Sequence, residues 1–252
     1  MRPVTPDPAS ILQRQIGRPR TDSSRLVWLS SIAAAAALLA WLAARLLGEI
    51  ALLPWWAFVM VLAGIVLADF VSGLVHWGAD TWGRDDMPIL GPRLLLPFRR
   101  HHVDPGDFLT RSFIDANGDV ALLHLPILAL AVAVPIDTPG HAALLSFAFG
   151  FCVVGTLTNQ IHQWAHLPDP PRVVRWCQDR GLMLGRDAHA RHHARPHDTA
   201  YCIATGWCNR PLEAIAFFRR LERVVTRLTR LDPREDDRRH AAVTPARPGA
   251  TS

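Results

Sequence analysis

Four apolar stretches, at 26–47, 55–75, 120–135 and 142–161, constrain this 252-residue chain more than any other feature. A membrane-spanning helix needs roughly 20 apolar residues. Three stretches meet that length; the third is shorter and carries His124 and Pro126. Inside lipid every backbone N–H and C=O must be paired within the protein, so such runs become helices. The short turns at 48–54 and 135–141 pair them into two hairpins. The predicted fold is therefore an all-α integral membrane protein of about four transmembrane helices. Apolar residues make up 50% of the chain and the mean hydropathy is only +0.13. A substantial polar part therefore lies outside the lipid.

Charge orients the hairpins. All 27 basic residues are Arg. The two turns carry only Glu49 and Asp137, with Arg45 near the end of the first span, whereas the N-terminal segment, the 77–119 loop and the region after 167 hold nearly all the Arg. The positive-inside rule places those three segments in the cytoplasm. The Lys-free, Ala- and Arg-rich usage is that of a GC-rich bacterial genome, so the expected location is a bacterial inner membrane. The basic balance suits a face lying on anionic lipid. With no binding-fold signal beside the charge, nucleic acid is not an expected partner.

Residues 1–25 and 232–252 read as disordered tails, and 26–231 as one membrane domain. The polar start is too long for a cleavable signal, which would reach its apolar region sooner. Short amphipathic helices are expected at 172–183 and 211–231. Cys152, Cys177, Cys202 and Cys208 form no C-x-x-C pair and read as thiols without a disulfide framework. Trp55, Trp56, Trp77, Trp82, Trp164 and Trp176 read in part as interfacial anchors.

The topology brings chemistry together. Nine of the twelve histidines lie in four clusters: His76, His101-His102, His162 with His166, and His189, His192, His193 and His197. Under the predicted orientation all four meet on one membrane face; one miscounted span would divide them. Helical positions i and i+4 share a face, so His162 and His166 can bind one metal. His76 and Asp80 have the same spacing, and a helix over 189–193 would put three rings on one edge. This is too many imidazoles for one zinc, and it suits two iron ions held by nitrogen. Asp80, Asp104, Asp187 and Asp198 lie beside histidines, as partners for ring N–H groups or as solvated acids. Asp69, inside the second span, has two readings: a functional ionisable group, or a hydrogen bond to a neighbouring span or the Arg-rich loop. His124 reads as a capped polar residue in the bundle, or one that lines a cavity. His141 and His240 lie apart from the clusters.

Several strings carry a family resemblance together. They are Asp69-Phe-Val-Ser-Gly-Leu-Val-His76-Trp-Gly-Ala-Asp80, Phe98-Arg-Arg-His101-His102-Val-Asp104-Pro105, Asn117-Gly118-Asp119, Asn159-Gln-Ile-His162-Gln-Trp-Ala-His166, His189-Ala-Arg-His192-His193-Ala-Arg-Pro196-His197-Asp198-Thr199, and Tyr201-Cys-Ile-Ala-Thr-Gly-Trp207-Cys-Asn209. In order over about 60–215, they resemble the lipid desaturase family of plasmanylethanolamine desaturase and its bacterial CarF-type relatives. The resemblance implies that His76, His101, His102, His162, His166, His189, His192, His193 and His197 hold or adjoin a di-iron centre. It implies oxygen-dependent desaturation of a membrane phospholipid, in the plasmalogen branch from a 1-O-alkyl to a 1-O-alk-1′-enyl ether. Electrons would come from a donor protein of the cytochrome b5 or ferredoxin type. Asp80 joins the histidines as a candidate catalytic residue.

Other readings are an acyl-lipid desaturase or hydroxylase, a zinc hydrolase and a metal transporter. A zinc hydrolase needs a general base, usually Glu, and no Glu lies in any histidine cluster. A transporter places its ligands near the midplane, whereas these gather at one face. Oligomeric state is not readable from the sequence.

Overall fold

The computed structural model describes residues 22–84, 86–194, 196–231 and 233. His240, most of the expected 1–25 tail and nearly all of the expected 232–252 tail lie outside them. Among the described residues the regular structure is all helical, without a strand. Four long helices match the four apolar runs: α1 (Asp22–Gly48), α2 (Trp55–Thr81), α5 (Phe113–Ala133) and α6 (Pro139–His166). Between the hairpins lie a π-helical turn (Gly91–Leu95), α3 (Leu96–Val103) and α4 (Pro105–Leu109). After α6 come α7 (Arg172–Asp179), α8 (Arg186–His193), α9 (Asn209–Ala214) and α10 (Phe217–Thr229).

α2, α5 and α6 extend past their apolar runs by polar turns, whose Asp80, Asn117 and His166 find partners inside the bundle. α5 begins at Phe113 because the Ser112 hydroxyl accepts from the Asp115 N–H as N-cap. It then carries Asn117 and Asp119 inward. Asn117 donates to the Gln160 amide oxygen on α6, and Asp119 accepts from the Trp28 indole N–H on α1. His124 is the capped residue of the two readings. Its Nδ1–H donates to the Val120 carbonyl, and its ring lies against Gly155.

Helices adjacent in sequence are not the closest neighbours. α2 packs most extensively on α6 and α1 on α5, whereas α1 and α2 hardly touch. Small residues allow these crossings, as membrane helices without a hydrophobic driving force require. A Cβ on Gly64 would stand 2.1 Å from the Phe147 carbonyl oxygen, and one on Gly150 2.2 Å from that of Val61. Arg45, the one basic residue away from the Arg-rich face, donates to the Val134 carbonyl at the end of α5. It thereby satisfies a carbonyl that the helix terminus leaves without a partner.

Three expectations change. Trp77 is buried against Phe218 and Trp82, not an interfacial anchor, because α10 folds back over α2. Trp55, by contrast, is 83% exposed at the start of its span. The expected 211–231 helix is broken at Ala216, whose φ of 50° turns the chain between α9 and α10. The 172–183 helix stops at Asp179.

Candidate metal centre

One polar stripe on α2 organises the site. Asp69, Ser72, Gly73, His76 and Asp80 follow one face, and opposite them runs the segment 199–209. Asp69 is fully buried, and its partner is neither a neighbouring span nor the Arg-rich loop. Its Oδ1 accepts from the backbone N–H groups of Ala204, Thr205 and Gly206, and its Oδ2 from Cys208. A buried carboxylate is tolerated when its lone pairs are filled in this way. One turn on, Ser72 Oγ accepts from the Ile203 N–H. A Cβ on Gly73 would lie 2.4 Å from Cys202 Sγ, so glycine lets the segment approach. Asn209 clamps the same segment by bonding both the N–H and the C=O of Cys202.

This docking places carbonyls where imidazoles need them. The Nδ1–H of His76 donates to Tyr201 O at 3.0 Å, and that of His192 to Thr199 O at 2.8 Å. A carbonyl can only accept, so both rings carry their proton on Nδ1 and present an Nε2 lone pair. This is the outer anchoring that metal-ligating histidines use.

Those lone pairs fall into two groups. In the first, His101, His162, His166, His189 and His193 converge, with ligand atoms within 4.8 Å of one another. Neighbouring Nε2 atoms lie close: His101 to His162 at 3.0 Å, His162 to His189 at 2.8 Å, His189 to His166 at 2.8 Å, and His193 to His101 at 3.1 Å. The second group is His76, Asp80, His102 and His192. There Asp80 Oδ2 lies 3.4–3.6 Å from the three Nε2 atoms. α2 serves only the second group and α6 only the first. α3 and α8 serve both, because adjacent His101-His102 and His192-His193 diverge by about 100° around a helix.

A cation fits these residues on donor chemistry alone. A neutral imidazole has one N–H and one lone pair, so five Nε2 atoms around one point cannot satisfy each other. Protonation does not relieve the crowding. Burial, reinforced by neighbouring imidazoles, holds His101, His189 and His192 well below the usual histidine range and His193 down to about 3. They are neutral at neutral pH, as ligands must be.

Of the ten residues singled out from sequence, nine meet in these two groups. His197 does not. Its ring stacks on His102 at 4.7 Å and its Nδ1–H donates to the His192 carbonyl. Among the neighbouring acids, Asp80 stands among the ligand atoms rather than behind them. Asp104 caps α4 by accepting from Gly106 N–H, and Asp187 is exposed in the first turn of α8. Sequence reasoning did not find the carbonyls of Thr199 and Tyr201, since main-chain acceptors leave no compositional signal.

A cavity of about 320 Å³ opens beside the first group. His101 and His162 stand at its floor, and Phe98, Phe108, Val120 and Leu122 are among its walls. Its lining also includes Ile89, Leu90 and Leu123, all strongly exposed at the protein surface. Arg93, Arg111, Asp115 and Asp119 line the same space. An apolar groove with a few charged groups and an exposed apolar rim has the character of a lipid site.

Fold and site together define an integral membrane protein with a paired, histidine-rich metal-binding centre. Residues 65–236 match the lipid desaturase domain, and the chain belongs to that family. It is 42% identical over 183 residues to plasmanylethanolamine desaturase of Myxococcus xanthus and 46% identical over 187 residues to plasmanylethanolamine desaturase 1 of Mus musculus. These matches cover 73% and 72% of this chain, and 65% and 69% of those proteins. It is also 35% identical over 166 residues to the chloroplastic fatty acid desaturase 4 of Arabidopsis thaliana, covering 64% of this chain and 49% of that protein. No solved structure matches the chain.

Proposed function

We propose that this protein is an oxygen-dependent desaturase of membrane ether phospholipids, converting a 1-O-alkyl (plasmanyl) ethanolamine lipid to its 1-O-alk-1′-enyl (plasmenyl) form. One observation carries the reading: an apolar groove with His101 and His162 at its floor leads to two groups of converging imidazoles, eight in all. The names of the two plasmanylethanolamine desaturases support the substrate.

Taking hydrogen from an unactivated alkyl carbon lies beyond side-chain acid–base chemistry and calls for a metal–oxygen oxidant, which two bound iron ions would supply. His101, His162, His166, His189 and His193 hold one ion; His76, Asp80, His102 and His192 hold the other. His197, stacked on His102, steadies that ring. The protein's own tasks are to fix these ligands, exclude water and hold the alkyl chain against the first group. The overall change removes one hydrogen from each of the first two alkyl carbons. O2 is the oxidant; a donor protein of the cytochrome b5 or ferredoxin type supplies two electrons, two protons come from solvent, and two waters leave. With positive charge inside, the site faces the cytoplasm of a bacterial inner membrane. The domain spans 26–231.

The test is expression in a plasmalogen-free host supplied with a 1-O-alkyl glycerolipid and a competent electron donor. Acid-labile vinyl-ether lipids are expected with the wild type and not with His193→Ala. A new double bond or hydroxyl on acyl chains, without vinyl ether, would favour the acyl-lipid reading of the same centre.

A further inference from the structure

The groove is apolar along most of its length, yet it holds four charged residues. These are not spread along it. Asp115 and Asp119 lie on the first two turns of α5, and Arg111 just precedes that helix. Arg93 reaches across from the π-helical turn, its Nη1 3.6 Å from Asp119 Oδ1. The hydrogen bonds from Asn159 to the Ala116 carbonyl and from Asn117 to Gln160 fix the register of α5 against α6. They set this charged end level with the α6 turn that carries His162. Leu122 and Leu123, a turn further along α5, continue the groove away from it.

A lipid lying here has its head group beside the metal ligands and its tail leading away. The carbons over His101 and His162 are then those next to the glycerol. A mid-chain oxidation would instead need a long apolar run between the charged end and the histidines.

We propose that this charged end is a head-group site for a zwitterionic phospholipid with a primary ammonium. Arg93 and Arg111 take the phosphate and Asp119 takes the ammonium. The proposal rests on the ether-lipid reading of the same site and deepens it. Guanidinium groups suit phosphate because their forked N–H donors match its oxygens. Asp119 is held in place by the Trp28 indole N–H at 2.8 Å, and its present partner Arg93 is more than half exposed. A bound head group replaces Arg93 at Asp119 with its ammonium, turns Arg93 to the phosphate, and shares Arg111 with Asp107, whose Oδ2 lies 3.5 Å from that guanidinium. A primary ammonium brings three N–H donors to the carboxylate; a trimethylammonium brings none. Asp119 is therefore the residue that tells ethanolamine from choline.

The experiment uses the full chain in detergent and two 1-O-alkyl phospholipids that differ only in head group, ethanolamine or choline. Competitive binding is read by native mass spectrometry and competitive turnover by vinyl-ether formation. The wild type is expected to prefer ethanolamine by about tenfold, the worth of one partly exposed charge-assisted hydrogen bond. Asp119→Asn is expected to bring the ratio near unity. Arg93→Gln is expected to weaken both lipids alike, leaving the ratio intact. Trp28→Phe removes the indole N–H but keeps the carboxylate, and should retain most of the preference. Equal binding of both lipids by the wild type, or an unchanged ratio in Asp119→Asn, would overturn the proposal. So would a ratio that collapses as fully in Trp28→Phe as in Asp119→Asn, since Asp119 would then act through helix packing alone. A binding preference without vinyl-ether formation would keep the head-group site and remove the ether-desaturase reading.

Discussion

The two metal-binding groups share α3 and α8 but are built on opposite terms. In the second group, His76 and His192 are each anchored through Nδ1 to a carbonyl of the 199–201 segment, and Asp80 brings negative charge. In the first group every donor is a neutral imidazole. Among the described residues, the buried Nδ1 atoms of His101, His189 and His193 have no hydrogen-bond partner. The first group also meets the groove through His101 and His162. The contrast separates two duties. An ion in the second group would have two of its imidazoles oriented by main-chain carbonyls; an ion in the first would have five imidazoles and lie beside the groove. A Mössbauer spectrum of the iron-loaded protein should therefore resolve two inequivalent sites of equal area.

The largest expected effect comes from the substrate side. His162→Ala should abolish vinyl-ether formation and lower bound iron from two ions per chain to one, read by elemental analysis beside lipid mass spectrometry. Full iron content with normal turnover would break the distinction between the groups. Next is Asp80→Asn, which removes the only carboxylate among the ligand atoms of the described residues. Metal titration is expected to show about a 10- to 100-fold weaker second ion with the first unchanged, the scale of losing a supporting interaction at a metal site. Equal weakening of both ions would show the groups to be one unit.

Asp69→Asn tests the anchoring at a distance. It leaves a donor facing the Cys208 N–H and removes the charge from four hydrogen bonds. A loss of about 1–3 kcal/mol is expected, read as a lower Tm. Because the 199–209 segment orients His76 and His192, the second ion should weaken selectively; a lower Tm with both affinities intact would make Asp69 a fold residue only. The smallest effect should be that of His197→Gln. With His197 outside both groups, both ions should stay and turnover fall by no more than about tenfold, as for a residue that touches a ligand ring without binding metal. Loss of an ion would bring His197 in as a ninth imidazole ligand.

The sequence disclosed the chemistry better than its supports. Span number and the meeting of the clusters were legible because lipid leaves the backbone few choices and because each hairpin returns the chain to the end of the bundle from which it left. The histidine spacings were legible because i, i+3 and i+4 share a helix edge. Which histidine joins which group was not, since that depends on how α3 and α8 roll between α2 and α6. Asp69 was conspicuous as an acid inside a span, yet its partners are main-chain N–H groups more than 130 residues later in the chain, and these have no side-chain signature. The first turn of α5 read as loop because Asp115, Asn117 and Asp119 are polar; tertiary partners on α1 and α6 overrode that pattern.

The crossing at Gly64 and Gly150 has a consequence for living membranes. Bilayers vary in thickness with temperature and lipid composition, and single helices answer by tilting. Backbone contact welds α2 and α6 into one body, so these two cannot tilt apart, and both carry ligands. α1 and α5, packed on each other and bearing no ligand, are the helices left to adjust. The metal centre thus rides on a rigid keel, and its spacing is insulated from the fluctuations of the membrane whose lipids it is built to receive.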